Sequence, residues 1–126
     1  CYLNMLNKML SARGYRTIRA GIGMAVSNDH VIKAGRKGVA ISDHVWLGEA
    51  VSQASKLAGM GSKGTLRRIC VSSCAYSNFI ESLKEENAGK DVKSWFSYHL
   101  QDGISFWDCD VIMSDMDEWI GAGMVD

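Results

Sequence analysis

Neither sign of charge is in excess in this sequence: fourteen Lys and Arg side chains stand against fourteen Asp and Glu. No global field therefore draws the chain toward nucleic acid or anionic lipid, and a charged ligand must be bound by local chemistry. Long apolar runs are missing too. Nothing approaches the roughly 18 residues that cross a bilayer, and no charged-then-apolar leader marks secretion. The expected compartment is the cytoplasm, with neither membrane nor nucleic acid as a partner. The four cysteines, Cys1, Cys70, Cys74 and Cys109, have no C-x-x-C spacing and no histidine nearby at ligand spacing, which argues against a structural metal site. They read as free buried thiols that pack as small hydrophobes. Internal repeats and low-complexity segments are absent as well.

What is present suffices for one domain: 126 residues, 47% hydrophobic, with four Trp. The chain opens at Cys1, without Met, directly on an apolar-periodic segment, so a preceding segment is expected. Tyr2, Leu3, Met5, Leu6, Met9 and Leu10 form the stripe of an amphipathic helix that runs out near Arg13-Gly14. Residues Tyr15 to Val26 read as a buried strand whose glycines allow close backbone approach on one side. The Ser27-Asn28-Asp29 turn returns it as a hairpin through Val31 to Ala34. Val39 to Trp46 reads as a loop or irregular strand leading into a second helix. On that helix positions 47, 50, 51, 54, 57 and 58 are apolar, and Glu49, Ser52, Gln53 and Lys56 lie on the other face. Gly59, Gly61 and Gly64 end it.

Ile69-Cys70-Val71 is a short strand, after which Ser72 or Ser73 caps a helix carrying Tyr76, Phe79, Ile80 and Leu83 inward. Trp95 to Leu100, a Gln101-Asp102-Gly103 turn, Ile104 to Trp107 and Val111 to Met113 alternate again, and Met116 to Ile120 forms a last helix. The order predicts an α+β sandwich with helices against one sheet.

The run Ile18-Arg19-Ala20-Gly21-Ile22-Gly23, then Gly38, then Val45 to Leu57, then Ile69-Cys70-Val71-Ser72, resembles the class III nucleotidyl cyclases across roughly positions 16 to 79. Ile32-Lys33-Ala34-Gly35 and Val45-Trp46-Leu47-Gly48 look most like the bacterial Pycsar pyrimidine cyclases, as does the segment from Val111 to Trp119. The resemblance implies a ferredoxin-like βαββαβ cyclase fold, of which this chain is the C-terminal portion of a single domain spanning residues 1–126, its first strands lying upstream. It implies closure of UTP or CTP to cyclic UMP or cyclic CMP with release of diphosphate, Mn²⁺ or Mg²⁺ as cofactor, a role in antiphage defence, and a homodimer with a composite site. The two metal-binding aspartates would lie upstream, so this chain by itself is expected to be inactive and to hold no metal ligands.

In the family an Asn and an Arg four residues apart on the helix serve ribose and phosphate; the matching positions are Ser52 and Lys56. One helical turn separates them, so both project from one polar face. Serine offers a single hydroxyl and lysine a point charge without the planar fork of arginine. The base-reading position, three before Gly48, is Val45, which cannot bond the adenine amino group and so argues against ATP. Asp43 substitutes for it if the loop bulges, and Trp46 stands beside it as a further substrate-binding candidate.

Outside these positions, Gly35-Arg36-Lys37-Gly38 reads as a basic turn able to cradle phosphate, and more simply as a solvated hairpin tip. Glu49 suits the positive end of the helix dipole. His30, His44 and His99, isolated from acidic partners in sequence, read as structural. Asp108, Asp110, Asp115, Asp117 and Glu118 read as solvated or capping carboxylates. Two other classes stay open: a degenerate cyclase-like module for binding or dimerisation, and an unrelated α+β ligand-binding domain.

Overall fold

A computed structural model describes residues 2–28, 30–35, 42–110 and 114–125. The chain divides into two compact units, Gly21–Cys109 and a second made of Cys1–Ala20 with Asp110–Asp126. Its elements amount to a mixed α+β architecture with four α-helices and six strands among the described residues. No helix of the described residues is long and apolar enough to cross a membrane.

The larger unit is built on a four-stranded mixed sheet. It contains β1 (Ile22–Met24), β2 (His30–Gly35), β3 (Ser42–Leu47), α2 (Glu49–Met60), β4 (Ile69–Ser72) and α3 (Ser73–Glu86). A 3-10 turn (Val92–Trp95), β5 (Ser97–Gln101) and β6 (Ile104–Cys109) complete it. The sheet order is β1-β4-β6-β5, with β1 parallel to β4 and the other pairs antiparallel. β2 and β3 form a separate two-stranded ribbon.

The hairpin expected between the Tyr15–Val26 segment and Val31–Ala34 does not form. Only Ile22–Met24 of that segment is strand, and it lies beside β4, while β2 pairs with β3 from His30↔Leu47 to Gly35↔Ser42. The glycines explain the choice. A Cβ on Gly23 would stand 2.0 Å from the Ala54 carbonyl oxygen and 2.5 Å from the Ala58 amide, and one on Gly21 would stand 2.5 Å from the Ala58 carbonyl oxygen. Only hydrogen at these positions lets α2 lie directly on the strand, and β1–α2–β4 becomes a parallel crossover unit. The residues expected to be a loop or irregular strand before α2 form, in their described part, the regular strand β3.

Helices pack against the one mixed sheet on both of its faces. Successive residues of β4 point to opposite sides: Cys70 packs with Leu57 of α2 and with Phe106, while Val71 packs with Tyr76 and Ile80 of α3 and with Val92. Tyr76 stacks on Trp107 at 4.3 Å between ring centroids, with Phe79 and Phe96 edge-on to it. The α3 stripe of Tyr76, Phe79, Ile80 and Leu83 therefore faces inward as its spacing predicts.

Ser72 caps α3, its hydroxyl accepting from the Ala75 amide at 3.2 Å. Ser72→Ala is expected to lower stability by about 1 kcal/mol, the usual loss for a serine cap; a denaturation midpoint equal to that of the parent would show the cap to be idle. The β5–β6 hairpin turns on Asp102 and Gly103, both at positive φ, as the Asp-Gly pair leads one to expect.

In the smaller unit α1 (Tyr2–Ala12) stops at Gly14, whose φ is +74°, and α4 (Ser114–Gly121) carries Asp115 and Asp117 in its first turn. Asn4 donates to Asp117 at 3.2 Å, and Lys8 donates to the Ile120 carbonyl. Asn7 exchanges two 2.8 Å bonds with the main chain of Ile18. Val111–Met113, Arg36, Lys37 and Gly38 of the expected basic turn, Asp29 and Cys1 lie outside the described residues.

Of the described thiols Cys70 and Cys109 are buried as expected, but Cys74 is exposed, because it falls on the outer face of α3. Burial, and then the neighbouring Asp108 charge, push the Cys70 thiol above its ordinary value, which suits a packing role.

Candidate functional site

The polar face of α2 is fixed by its apolar one. Leu57 is fully buried, and Ala54 and Ala58 sit beneath the glycines of β1, so the opposite side of the helix must face outward. Ser52 and Lys56 are both exposed there, one turn apart. Lys56 makes no ion pair or hydrogen bond among the described residues, so its ammonium is available to a ligand. Glu49 lies in the first turn and accepts from the Gln53 carboxamide at 2.7 Å. The start of the helix is held from outside it: Gly48, the N-cap, has no side chain, and the Ser27 hydroxyl accepts from the Ala50 amide at 2.9 Å. This bond ties the loop after β1 to the end of α2 that follows the β2–β3 ribbon.

The ribbon carries the other expected residues. Its ladder runs without interruption from Ser42 to Leu47, so there is no bulge to bring Asp43 into the position of Val45; Asp43 pairs with Ala34, two register positions away. Val45 pairs with Ile32 and Trp46 with Val31, and strand geometry sends these two neighbours to opposite faces. Val45 and Trp46 therefore do not line one pocket within a single chain. Both are exposed, Trp46 by 62%. Val31, Ile32 and Leu47 are exposed beside them, giving the ribbon apolar surface on both faces.

A second polar constellation joins residues that are distant in sequence. Asp108, expected to be solvated or capping, is 2% exposed on the α2 side of the sheet. Its carboxylate accepts from the Arg67 amide at 2.9 Å and from the Arg67 guanidinium at 3.2 Å. The guanidinium also donates to the Asp108 carbonyl and to the Ser97 hydroxyl. His99, expected to have no acidic partner, places Nε2 3.1 Å from the same carboxylate, a close electrostatic approach off the hydrogen-bond line. Its ring stacks on Phe106. Burial raises the Asp108 pKa, but the Arg67 amide and guanidinium, with His99, outweigh it and hold the carboxyl below its ordinary value.

The sign of the linkage follows. Stability from a depressed carboxylate is present above its unfolded-state pKa of about 4 and is lost as pH falls through the lower folded value. The melting temperature of the parent is expected to fall on acidification below about pH 4 more steeply than that of Asp108→Asn; parallel profiles would show that Asp108 carries none of the acid sensitivity.

Among the described residues no three His, Cys, Asp or Glu side chains converge as a metal would require. The divalent ion that the family resemblance implies does not fit the described donors of this chain alone.

Over 130 aligned residues the whole chain is 37% identical to a protein named uridylate cyclase from Treponema porcinum, of which it covers 43%. It is 38% identical over 93 residues, 71% of its length, to a uridylate cyclase from Gulbenkiania mobilis, of which that stretch is 33%. The chain thus spans less than half the length of these relatives. No family model matches it, and no solved structure does.

Proposed function

The chain belongs to the same family as the two uridylate cyclases that it matches, and from that premise we propose that it is part of a pyrimidine nucleotide cyclase, a phosphorus-oxygen lyase. The reaction joins the ribose 3′-oxygen of UTP or CTP to the α-phosphorus and expels diphosphate, giving cyclic UMP or cyclic CMP. The observation that carries the assignment to this chain is the outward face of α2, where Ser52 and Lys56 stand one turn apart and Lys56 has no partner among the described residues. Negative charge grows on the phosphate oxygens as the ring closes. A cation set in place beforehand lowers that barrier more than one recruited from water. In this reading Lys56 lies against the α-phosphate and Ser52 bonds the ribose. Val45 lines the base site without the carboxylate that an adenine amino group would need, and Trp46, on the other face of the ribbon, meets substrate only through a second copy.

The chain is then one portion of a single cyclase domain with a ferredoxin-like βαββαβ plan, in line with the share of the relatives' length that it covers. Further catalytic groups, including ligands for Mn²⁺ or Mg²⁺, come from elsewhere in the intact protein or from a second copy. The exposed apolar ribbon with Val31, Ile32, Val45, Trp46 and Leu47 supports a homodimer, since one copy leaves that surface uncovered. The cyclic nucleotide serves as a second messenger in antiphage defence in the cytoplasm.

The test is to incubate the intact gene product with Mn²⁺ and each of ATP, GTP, CTP and UTP, and to identify products by mass spectrometry. Cyclic UMP or cyclic CMP is the expected product. A folded dimer that yields none from any nucleotide would instead be a degenerate cyclase-like module, for which the departures at Ser52 and Lys56 would be the reason.

A further inference from the structure

Ser52 and Lys56 are held by different parts of the fold. Lys56 lies between Ala54 and Ala58, whose main chain meets Gly21 and Gly23, and beside Leu57, the buried side chain of α2. That stretch cannot move without breaking the close approach. Ser52 lies ahead of it, in the part of α2 where packing is thin: none of the side chains from Glu49 to Gln53 is buried, and Val51 is 42% exposed. A helix end with so little packing is the first to fray.

Its own cap is missing as well. Gly48 has no side chain to receive an amide of the first turn. The bond from the Gln53 carboxamide to Glu49 spans this turn, but both ends lie on α2, so it stiffens the helix without fixing it to anything else. Ser27 supplies what Gly48 cannot. Its hydroxyl accepts from the Ala50 amide at 2.9 Å, across 23 residues of sequence.

The geometry of the strand and the helix explains how Ser27 reaches that point. Gly23, four residues before Ser27, meets Ala54, four residues after Ala50. The chain beyond β1 therefore extends the glycine contact by about one helical turn, roughly 5 Å, toward the end of α2 that packing leaves loose.

We propose that Ser27 is a positioning residue of the nucleotide site: its hydroxyl holds the first turn of α2 in place and so sets the Ser52 hydroxyl for the ribose, while the glycines set Lys56. The consequence for ring closure rests on the cyclase reading; the tie itself does not. Ser27 acts through Ser52 and touches no substrate. Its effect falls on turnover, because the 3′-oxygen must be aligned with the α-phosphorus and a misplacement of about 1 Å is enough to slow the reaction.

Two measurements test this. In the full chain, hydrogen exchange at the Ala50 amide is followed by NMR in the parent, Ser27→Ala and Ser27→Thr. Protection is expected to fall about fivefold or more in Ser27→Ala and to be kept in Ser27→Thr, with Leu57 unchanged in all three. In the intact protein, kcat and KM for the pyrimidine nucleotide are compared among Ser27→Ala, Ser27→Thr, Ser52→Ala, Lys56→Ala and the double variants. Ser27→Ala is expected to lower kcat about threefold or more with KM within about twofold, and Ser27→Thr to restore it. Added to Ser52→Ala it should cost nothing further, since both act through one hydroxyl, whereas its loss should multiply with that of Lys56→Ala.

An Ala50 amide that exchanges as fast in the parent as in Ser27→Ala would overturn the tie. Unchanged kcat in Ser27→Ala, or a loss that multiplies with that of Ser52→Ala, would overturn the positioning role. Ser27 is exposed, so its truncation leaves the core intact, and unchanged circular dichroism verifies this. The two readings fail separately. Ala50 protection that needs Ser27 in a protein that cyclises no nucleotide removes the cyclase and keeps the tie. Cyclic nucleotide formed by Ser27→Ala at the parental rate removes the positioning role and keeps the cyclase.

Discussion

Lys56→Ala in the intact protein is expected to lower kcat/KM for the cyclised pyrimidine nucleotide by about tenfold or more, at least 1.4 kcal/mol of transition-state stabilisation. The side chain is exposed on the face of α2 opposite the buried Leu57 and carries no partner among the described residues that its loss would strand. Stability is therefore expected to stay within about 0.5 kcal/mol of the parent, as for other exposed positions of this kind. That separation makes the variant informative, since a fall in turnover at constant melting temperature reports on chemistry alone. The loss should lie in kcat more than in KM, because charge on the phosphate oxygens is greatest at ring closure. Lys56→Arg keeps the charge and supplies the planar fork that the family position usually has, so it should retain most activity. Unchanged turnover in Lys56→Ala would remove Lys56 from the mechanism.

Gly23→Ala is expected to cost about 3 kcal/mol or more, the upper range for overpacking a close contact. The new methyl group would fall 2.0 Å from the Ala54 carbonyl oxygen and 2.5 Å from the Ala58 amide. Both are backbone atoms of a regular helix, so no rotamer change relieves the clash; α2 must lift from β1 or the strand must leave the sheet. Either movement shifts Ser52 and Lys56 together, and activity should fall with stability rather than independently of it. Gly59→Ala is the internal control. It lies on the same helix with no atom within 4 Å of the added Cβ, and there alanine should be neutral or stabilising by about 0.5–1 kcal/mol. Chemical denaturation compares the two. Equal midpoints would mean that the strand and helix do not meet at Gly23.

Much of this was legible residue by residue. The 3.6-residue periodicity gave α1, α2 and α3, and a hydroxyl ahead of the apolar stripe narrowed the α3 cap to Ser72 or Ser73, of which the structure uses Ser72. Asp102-Gly103 announced a hairpin, and the glycines of Ile18–Gly23 announced close approach without revealing against what. Ser52 and Lys56 share a face for the same reason that any residues four apart do. The partner of β2 was not legible: only a few residues separate it in sequence from the strands on either side, and both pairings satisfy the local pattern. Nor was the environment of Asp108, which lies 41 residues from the Arg67 that neutralises it and on the strand next to His99.

The sequence by itself determined the elements whose free energy is local, the helices with their polar and apolar faces and the Asp-Gly turn, because contacts within about four positions stabilise them. Tertiary structure alone decided that β1 pairs with β4, that helices cover both faces of the sheet, and that Arg67, His99 and Asp108 meet. Those outcomes depend on burial and charge neutralisation between distant segments, and they exist only once α2 has settled onto the two glycines of β1.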